Sequence, residues 1–268
     1  MSVTTRSPSP TTAKPLEFEL LYQVEARHFW FRTRNRMIET VVRQLIRGWP
    51  RDYRVLEIGC GTGYVLSMLE RVCVGGQVVG TELFEEGLQF ARQRVRCPVL
   101  QADAYNLPFQ SPFHLIGLFD VLEHLPDDGL ALRRLRRHFH PDGKLLLTVP
   151  AHMALWSHFD EFSQHYRRYS PASLRATLKQ AGYRVEYLTQ FMTATFPLMW
   201  LARRFDASNR PTTPQELTQR SVRELQINRL LNLILELAHV WEPVVVRLGG
   251  QLPVGTSLLA VASPESVG

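Results

Sequence analysis

The stretch Val55–Gly63, VLEIGCGTG, decides the fold of this chain. A short apolar run carrying Glu57 ends in three glycines with the pattern G-x-G-x-G, and a helical pattern begins at Tyr64. Glycines at a strand-to-helix turn let the backbone approach a ligand without a Cβ in the way. A glycine turn alone is also compatible with a simple tight turn that binds no ligand. The residues around it are therefore needed to distinguish a ligand-binding turn from a purely structural one.

Strand and helix patterns alternate outward from this turn. Such alternation indicates βαβ units and a mainly parallel α/β sheet, with ligands bound at the carboxyl ends of the strands. A final strand-like run, Ser257–Ala262, comes only after apolar helical segments at Phe191–Arg204 and Glu216–Leu248, which the polar linker Ser208–Pro214 separates. The six earlier strands are predicted at Arg54–Ile58, Gln77–Thr81, Pro98–Gln101, His114–Phe119, Lys144–Val149 and Tyr183–Thr189.

The chain is predicted to have five parts, most of it in one α/β core with an added helical segment. A tail rich in Ser, Thr and Pro is expected to be disordered, and the helical pattern after it, Leu16–Gly48, clusters aromatic residues at Phe29–Phe31 and basic residues at Arg32, Arg34 and Arg36. The predicted parts are the tail 1–15, an N-terminal helical cap 16–50, the α/β core 51–190, an apolar helical insertion 191–254, and the last strand with its tail 255–268.

Composition narrows the class of protein. The 268 residues carry a net charge of +6, which suits an anionic partner, a membrane surface or nucleic acid, and equally an ordinary basic soluble protein. A nucleic-acid partner is disfavoured because the basic residues are scattered and no nucleic-acid module is recognisable.

Three cysteines without C-x-x-C spacing predict a reducing, cytoplasmic compartment. No signal peptide is visible, and no apolar run reaches the roughly 18 residues of a transmembrane helix.

Acidic residues follow the successive strands and make the glycine turn more specific. Glu82 ends the second strand, where a carboxylate can accept both ribose hydroxyls, and Asp103 follows the third, where it can bond the adenine amine. With G-x-G-x-G rather than G-x-G-x-x-G, this set favours S-adenosyl-L-methionine over a dinucleotide. Each of these residues alone could be a charge at a strand end or the cap of a turn. If none of them bound a ligand, their placement at successive strand ends would have to be coincidental.

Five motifs in order, VLEIGCGTG, GTELFEEGL, QADAYNLPF, FDVLEHLPD and HPDGKLLLTVP, span about Tyr53 to Tyr187. With them the chain resembles the class I S-adenosylmethionine-dependent methyltransferases. The resemblance implies a Rossmann-like seven-stranded sheet whose last strand, Ser257–Ala262, is antiparallel. It places the methionine and ribose against the glycine turn, adenine beside the second and third strands, and the transferring methyl beside Asp120. The implied cofactor-binding residues are Glu57, Gly59, Gly61, Gly63, Glu82, Leu83, Asp103, Ala104 and Asp120.

The segment after the fifth strand, PAHMALWSHFDEFSQHYRRYSPASLRATLKQAG, resembles a bacterial small-molecule subgroup. Its members often accompany glycosyltransferases and the synthesis of polysaccharides or lipid-linked sugars, and HFWFRTRNRMI and LPVGTSLLAVA fit the same subgroup. This resemblance extends over most of the chain but does not name a methyl acceptor.

The same segment carries the candidate acceptor chemistry. A hydroxyl nucleophile benefits from a nearby His or carboxylate, and guanidinium groups match carboxylates and phosphates. In the alternative interpretation the arginines pair with surface acids, the aromatics pack the loop, and the His of EHLPD organises its turn. No metal is predicted, because no tight ligand spacing is present. The candidate catalytic residues are His165, His158, Asp160 and His124, and the candidate substrate-binding residues are Arg167, Arg168, Tyr169 and Trp156.

The insertion contains more apolar residues than one helical stripe needs. A lid or helical pair packed on the sheet, with a possible homodimer interface, is the favoured interpretation, and an acceptor pocket or membrane-facing patch is the alternative. Pro243 is expected to kink or end its helix.

The leading functional hypothesis is methyl transfer to an O or N atom of a small molecule. An RNA or protein methyltransferase and a non-catalytic cofactor-binding scaffold are the alternatives.

Overall fold

A computed structural model describes residues 15–206 and 213–265 of the protein. The predicted disordered tail therefore lies outside the described residues except for Pro15, as does most of the predicted linker Ser208–Pro214. Within the described ranges the strands and helices follow the alternating order predicted from the sequence.

One seven-stranded sheet forms the centre of the molecule, with strand order β3-β2-β1-β4-β5-β7-β6. The first five strands pair in parallel, and β7 lies antiparallel between β5 and β6. This arrangement confirms the predicted sheet with its antiparallel last strand. The strands are β1 Arg54–Ile58, β2 Gln77–Glu82, β3 Val99–Gln101, β4 Phe113–Phe119, β5 Phe139–Pro150, β6 Tyr183–Phe191 and β7 Ser257–Pro264.

Helices cover both faces of the sheet. One apolar cluster packs α2, α3, α4 and α11 against one face, and a second packs α5 and α7 against the other. No described helix combines the length and apolar character needed to cross a membrane. The helices are α1 Pro15–Val24, α2 Phe29–Leu45, α3 Tyr64–Val72, α4 Glu85–Arg94, α5 Asp128–Leu135, α6 His158–Phe162, α7 Pro171–Gln180, α8 Phe196–Asp206, α9 Pro214–Leu225, α10 Arg229–Ala238 and α11 Glu242–Arg247.

Two predicted helical stretches are divided by local caps. The N-terminal stretch breaks before Phe29, because the His28 side chain accepts a hydrogen bond from the Trp30 amide and starts α2. The long stretch in the insertion becomes α9, α10 and α11. Asn228 caps α10 in the same way, and Pro243 lies in the first turn of α11, where its missing N–H costs nothing.

The carboxyl ends of the parallel strands position the candidate site. Gly59, Gly61 and Gly63 all have positive φ in the turn after β1. A Cβ at Gly59 would lie 2.6 Å from a Val121 methyl, whereas one at Gly61 would meet no atom within 4 Å. Gly59 therefore allows β1 and β4 to meet closely, and Gly61 faces open space beside the turn.

Candidate functional site

Glu82 joins the turns after β1 and β2. Its Oε2 accepts from the Gly61 amide at 2.8 Å, and Oε1 accepts from Leu83 and Phe84 at 2.7 and 3.1 Å. Burial raises the pKa of Glu82, and the three backbone donors oppose that rise. The carboxylate is thus fixed beside the glycine turn, and its two oxygens, with about four lone-pair sites, retain acceptor capacity for a ligand.

Glu57 is a buried carboxyl group inside β1 with an unsatisfied oxygen. Its Oε2 has no hydrogen-bond partner among the residues described. Burial raises the pKa of Glu57 well above its ordinary value, Arg34 opposes this, and Glu82 and Glu25 add to it. An unsatisfied buried carboxyl group of this kind favours a cationic or hydrogen-bond-donating ligand.

Asp120 follows β4 and forms a buried ion pair that the sequence reasoning missed. Arg34 Nη1 donates to Asp120 Oδ2 at 2.5 Å, and the Thr148 hydroxyl donates to the same oxygen at 3.2 Å. Asp120 has a φ of 56°, and its Oδ1 is buried without a partner in the described structure. The Arg34 guanidinium also lies 4.9 Å from the Trp30 ring centroid. α2 therefore fixes one oxygen of Asp120 and leaves the other for a ligand.

A second network of ion pairs and hydrogen bonds, also not predicted from the sequence, holds the end of α1 against the glycine turn. Arg94 at the end of α4 pairs with Glu25, which also accepts from the Thr62 hydroxyl, and Arg94 donates to Thr62 Oγ1 at 3.0 Å. The Tyr22 ring lies 4.3 Å from the same guanidinium. Burial raises the pKa of Glu25, and Arg94 opposes that rise. The N-terminal cap is thereby joined to the middle of the turn.

The residues assigned to adenine lie at a more open edge. Leu83 and Asp103 are exposed, whereas Ala104 is buried. Asp103 Oδ1 accepts from the Tyr105 amide at 2.9 Å, which is the turn-capping contact expected from the alternative interpretation. A capping role and an adenine contact are compatible, since the other carboxylate oxygen is available. The adenine contact stays a prediction.

Several hydrogen bonds of the loop after β5 converge on the carboxylate of Asp160. Its side chain is fully buried and accepts from the Ser157 amide at 2.8 Å, His165 Nδ1 at 2.9 Å and Arg168 at 2.7 and 2.9 Å. Burial alone would raise the pKa of Asp160, but His165 and Arg168 outweigh it and hold the pKa below its ordinary value. An ionised Asp160 accepts the hydrogen bond from the Nδ1–H of His165, which leaves Nε2 as the ring nitrogen that can accept a proton. Asp160 therefore orients the His165 ring.

The predicted substrate-binding residues are engaged within the protein. Arg168 is buried in a bidentate pair with Asp160, and Arg167 pairs with Asp128 at 2.9 Å. The buried Tyr169 hydroxyl donates to Asp128 at 2.6 Å. This matches the alternative in which the arginines pair with acids, although the acid bound by Arg168 is buried. Trp156 is half-buried ahead of α6.

The three candidate histidines lie in different settings. His158 is half-buried at the start of α6. The rings of His124 and His165 meet edge to face, with centroids 4.6 Å apart. Desolvation and the facing His165 lower the pKa of His124 to about 3, although the residue as a whole is exposed to solvent. Glu123, beside His124, is buried with no partner on either oxygen among the described groups.

The insertion covers this loop and also packs on α2. α9 packs against α6, and α8 packs beside the turn Met153–Leu155. Glu236 of α10 pairs with Arg32 and Arg36, and Glu242 of α11 accepts from the Met192 and Thr193 amides. The lid interpretation thus describes α8 and α9, while α10 and α11 expose a broad apolar face. That exposed face comprises Leu230, Leu231, Leu233, Ile234, Leu237, Val240, Trp241, Val244 and Leu248.

About half of the chain is similar in sequence to known methyltransferases. Trans-aconitate 2-methyltransferase of Azoarcus is 31% identical over 52% of this chain and 54% of its own length. A ubiquinone biosynthesis O-methyltransferase of Xanthomonas euvesicatoria is 30% identical over 50% of this chain and 63% of its own. The matches thus span between about half and two thirds of these curated relatives.

Similarity of fold extends further than similarity of sequence. A Haloferax volcanii protein solved with the Trm112 methyltransferase activator superposes with a TM-score of 0.59 at 18% identity, over 96% of this chain and 99% of that one. A family model described as a methyltransferase domain matches residues 22–188, which is more than half of the chain. The chain therefore belongs to that methyltransferase family and is a class I enzyme whose methyl donor is S-adenosyl-L-methionine.

Proposed function

We propose that the protein transfers a methyl group to an oxygen or nitrogen atom of a small molecule. The observation that carries this proposal is the oriented His165–Asp160 pair on the loop after β5, at the same end of the sheet as the glycine turn. The bound cofactor supplies an electrophilic methyl on a sulfonium. The chain's own task is then to align an acceptor atom with that methyl and to take up its proton.

The residues present fit the cofactor. Glu57 Oε2 and Asp120 Oδ1 are buried without partners in the described structure, and Gly61 borders open space. Acidic groups at Glu57, Glu82 and Asp120 suit the ammonium, hydroxyl and sulfonium groups of S-adenosylmethionine. Glu57 and the glycine turn would hold the methionine portion, Glu82 the ribose, and Leu83, Asp103 and Ala104 the adenine, with Asp120 beside the methyl.

His165 is the favoured general base. Its side chain is held by Asp160 through Nδ1, which leaves Nε2 to accept the acceptor's proton. His124 meets the ring of His165, whereas His158 lies at the start of α6. Asp160 and Arg168 act here by positioning His165.

His165→Ala should lower turnover by about 100-fold or more, the usual contribution of a general base. S-Adenosylmethionine affinity, measured by calorimetry, should stay within about twofold of the wild type, because His165 lies on the acceptor loop and contacts Asp160. Turnover is measured as release of S-adenosylhomocysteine in a screen of acceptors. His158→Ala provides a matched comparison. Equal losses in both variants would contradict the assignment of the base to His165.

The acceptor panel should include carboxylic acids, phenols and lipid-linked sugars. The two named relatives act, by their names, on trans-aconitate and in ubiquinone biosynthesis, which supports small acceptors. The link to glycosyltransferases is a hypothesis from sequence resemblance and predicts activity on lipid-linked sugars. Product from none of these classes, with RNA and protein substrates inactive as well, would favour the non-catalytic scaffold.

The apolar face of α10 and α11 favours docking on an anionic membrane surface. Beside this face lies a cavity of about 420 Å³ whose lining includes Arg36, Arg43, Arg47 and Arg247. Exposed leucines with adjacent arginines match a bilayer, which offers apolar chains below anionic phosphates. A homodimer through this face would bring two arginine groups together. The enzyme would then act at the inner, reducing side of a membrane, consistent with its three free cysteines.

Leu237→Glu should weaken vesicle binding by about tenfold or more, since burial of one leucine contributes about 1.5–3 kcal/mol. Leu237 is 59% exposed, and the control Val74→Glu makes the same change of charge at a residue that is 83% exposed elsewhere. Co-sedimentation with phosphatidylcholine vesicles containing increasing phosphatidylglycerol measures the effect. A dimer that forms through this face, without vesicle binding at any phosphatidylglycerol content, would contradict membrane docking.

A further inference from the structure

A cluster of three potential metal ligands lies at the edge of the candidate site. Glu123 and His124 come from the turn after β4, and His165 comes from the loop after α6. One ligand atom from each lies within 4.8 Å of the other two. Ligand atoms bound tetrahedrally to one zinc-like ion at about 2.0–2.2 Å are about 3.3–3.6 Å apart, so side-chain rotations that bring the three atoms closer by up to about 1.5 Å would complete the geometry.

Contacts within the site hold the two imidazoles. His165 Nδ1 is hydrogen-bonded to Asp160 Oδ1, and the His124 ring packs edge to face on the His165 ring. Metal-binding histidines characteristically donate their second ring N–H to a carboxylate or a backbone carbonyl, which fixes the tautomer and aims the other nitrogen at the ion. Residues distant in sequence thus create an arrangement that no local spacing reveals.

Glu123 supplies an independent observation. Its side chain is fully buried, and neither carboxylate oxygen has a hydrogen-bond partner among the residues that the structure describes. The two nearby guanidinium groups are engaged elsewhere, since Arg34 pairs with Asp120 and Arg168 pairs with Asp160. A buried carboxylate without a cation is costly, and a metal ion at this position would satisfy it.

We propose that Glu123, His124 and His165 bind a divalent transition-metal ion of the zinc or manganese class. Two imidazoles and one carboxylate favour such an ion over calcium or magnesium, which prefer oxygen ligands. His124 is exposed, so the cluster borders solvent. Three protein ligands leave coordination positions open, as in catalytic rather than structural metal sites.

The open positions define an acceptor class, a part of the inference that rests on the proposed methyl transfer. A hydroxyl oxygen bound there would lose its proton to water more readily, because a divalent cation stabilises the alkoxide. The oxygen then forms a bond to the methyl carbon, the carbon–sulfur bond breaks, and its electron pair stays on sulfur as a neutral thioether. This arrangement favours O-methylation, and His165 would then act as a metal ligand in place of its role as general base.

The test is calorimetric titration of chelator-treated, desalted protein with Zn²⁺, Mn²⁺, Co²⁺ and Mg²⁺ in turn. One site is expected for Zn²⁺ or Mn²⁺, and bound Co²⁺ should show visible d–d absorption. Glu123→Gln and His124→Ala should each weaken binding by about tenfold or more. His140→Gln, which removes an imidazole remote from the cluster, should leave the affinity unchanged. Circular dichroism and thermal melting verify that each variant is folded.

The proposal is overturned if no ion binds, or if folded Glu123→Gln and His124→Ala variants bind as tightly as the wild type. Loss of binding in His140→Gln alone would place the ion elsewhere and equally overturn it. These measurements need no methyl acceptor. A result that shows no metal binding would therefore leave the proposed methyl transfer, with His165 as the general base, unaffected. Conversely, a metal-loaded protein that methylates nothing in the acceptor panel would count against the proposed function and not against the metal site.

Discussion

Glu82→Ala should raise the dissociation constant for S-adenosylmethionine by about 100-fold or more. Two hydrogen bonds from ribose hydroxyls to a carboxylate contribute about 1.5–3 kcal/mol each, and every 1.4 kcal/mol corresponds to a factor of ten. The same carboxylate accepts from the amides of Gly61, Leu83 and Phe84, so its loss also loosens the glycine turn. Both consequences weaken binding, which isothermal titration calorimetry measures directly.

The matched control is Glu85→Ala. Glu85 lies three residues later at the start of α4, is exposed and pairs with Arg92, so this variant removes the same charge without touching the turn. Its affinity for the cofactor should remain within about twofold of the wild type, because exposed ion pairs contribute little. A folded Glu82→Ala protein with unchanged affinity would refute the ribose assignment. Equal weakening in both variants would instead indicate a general effect of charge.

The sheet and the methyl donor could be predicted because they depend on local sequence. The turn around Gly59, Gly61 and Gly63 and the alternation of strands with helices are readable within short windows. The antiparallel position of β7 was implied by the resemblance to the family. Helix ends were less predictable, since a histidine acting as the N-cap of α2 is not a common start signal.

The contacts that complete the site join residues far apart in sequence. Arg34 and Asp120 are separated by 86 positions, and Glu25 and Arg94 by 69. Nothing local to either partner specifies the other. The partner of Arg168 was likewise not evident from the sequence. Arg168 resembled an anion-binding residue, but folding buries it on Asp160.

Asp160→Ala should destabilise the protein by about 3–5 kcal/mol, the usual effect of breaking a buried ion pair by removing one partner. Arg168 is only 7% exposed and would keep its charge with no carboxylate to bind. The variant also removes the capping contact from Asp160 to the Ser157 amide at the start of α6. The melting temperature should fall on the order of 10 °C, given about 2–4 °C per kcal/mol for chains somewhat shorter than this one.

Two further variants separate a buried charge from a general loss of ion pairing. Glu186→Ala breaks the half-buried Lys144–Glu186 pair at 2.6 Å and should cost about 1 kcal/mol or less. Asp160→Ala combined with Arg168→Met removes both buried charges and should recover much of the lost stability, because the uncompensated guanidinium is then gone. The cofactor affinity of the double variant should remain close to that of the wild type, since neither residue is assigned a cofactor contact.

An Asp160→Ala protein that melts within about 2 °C of the wild type would contradict the central role of Asp160, since breaking a buried pair should cost several kcal/mol. Failure of Arg168→Met to restore stability would show that the loss arises from the cap of α6 instead.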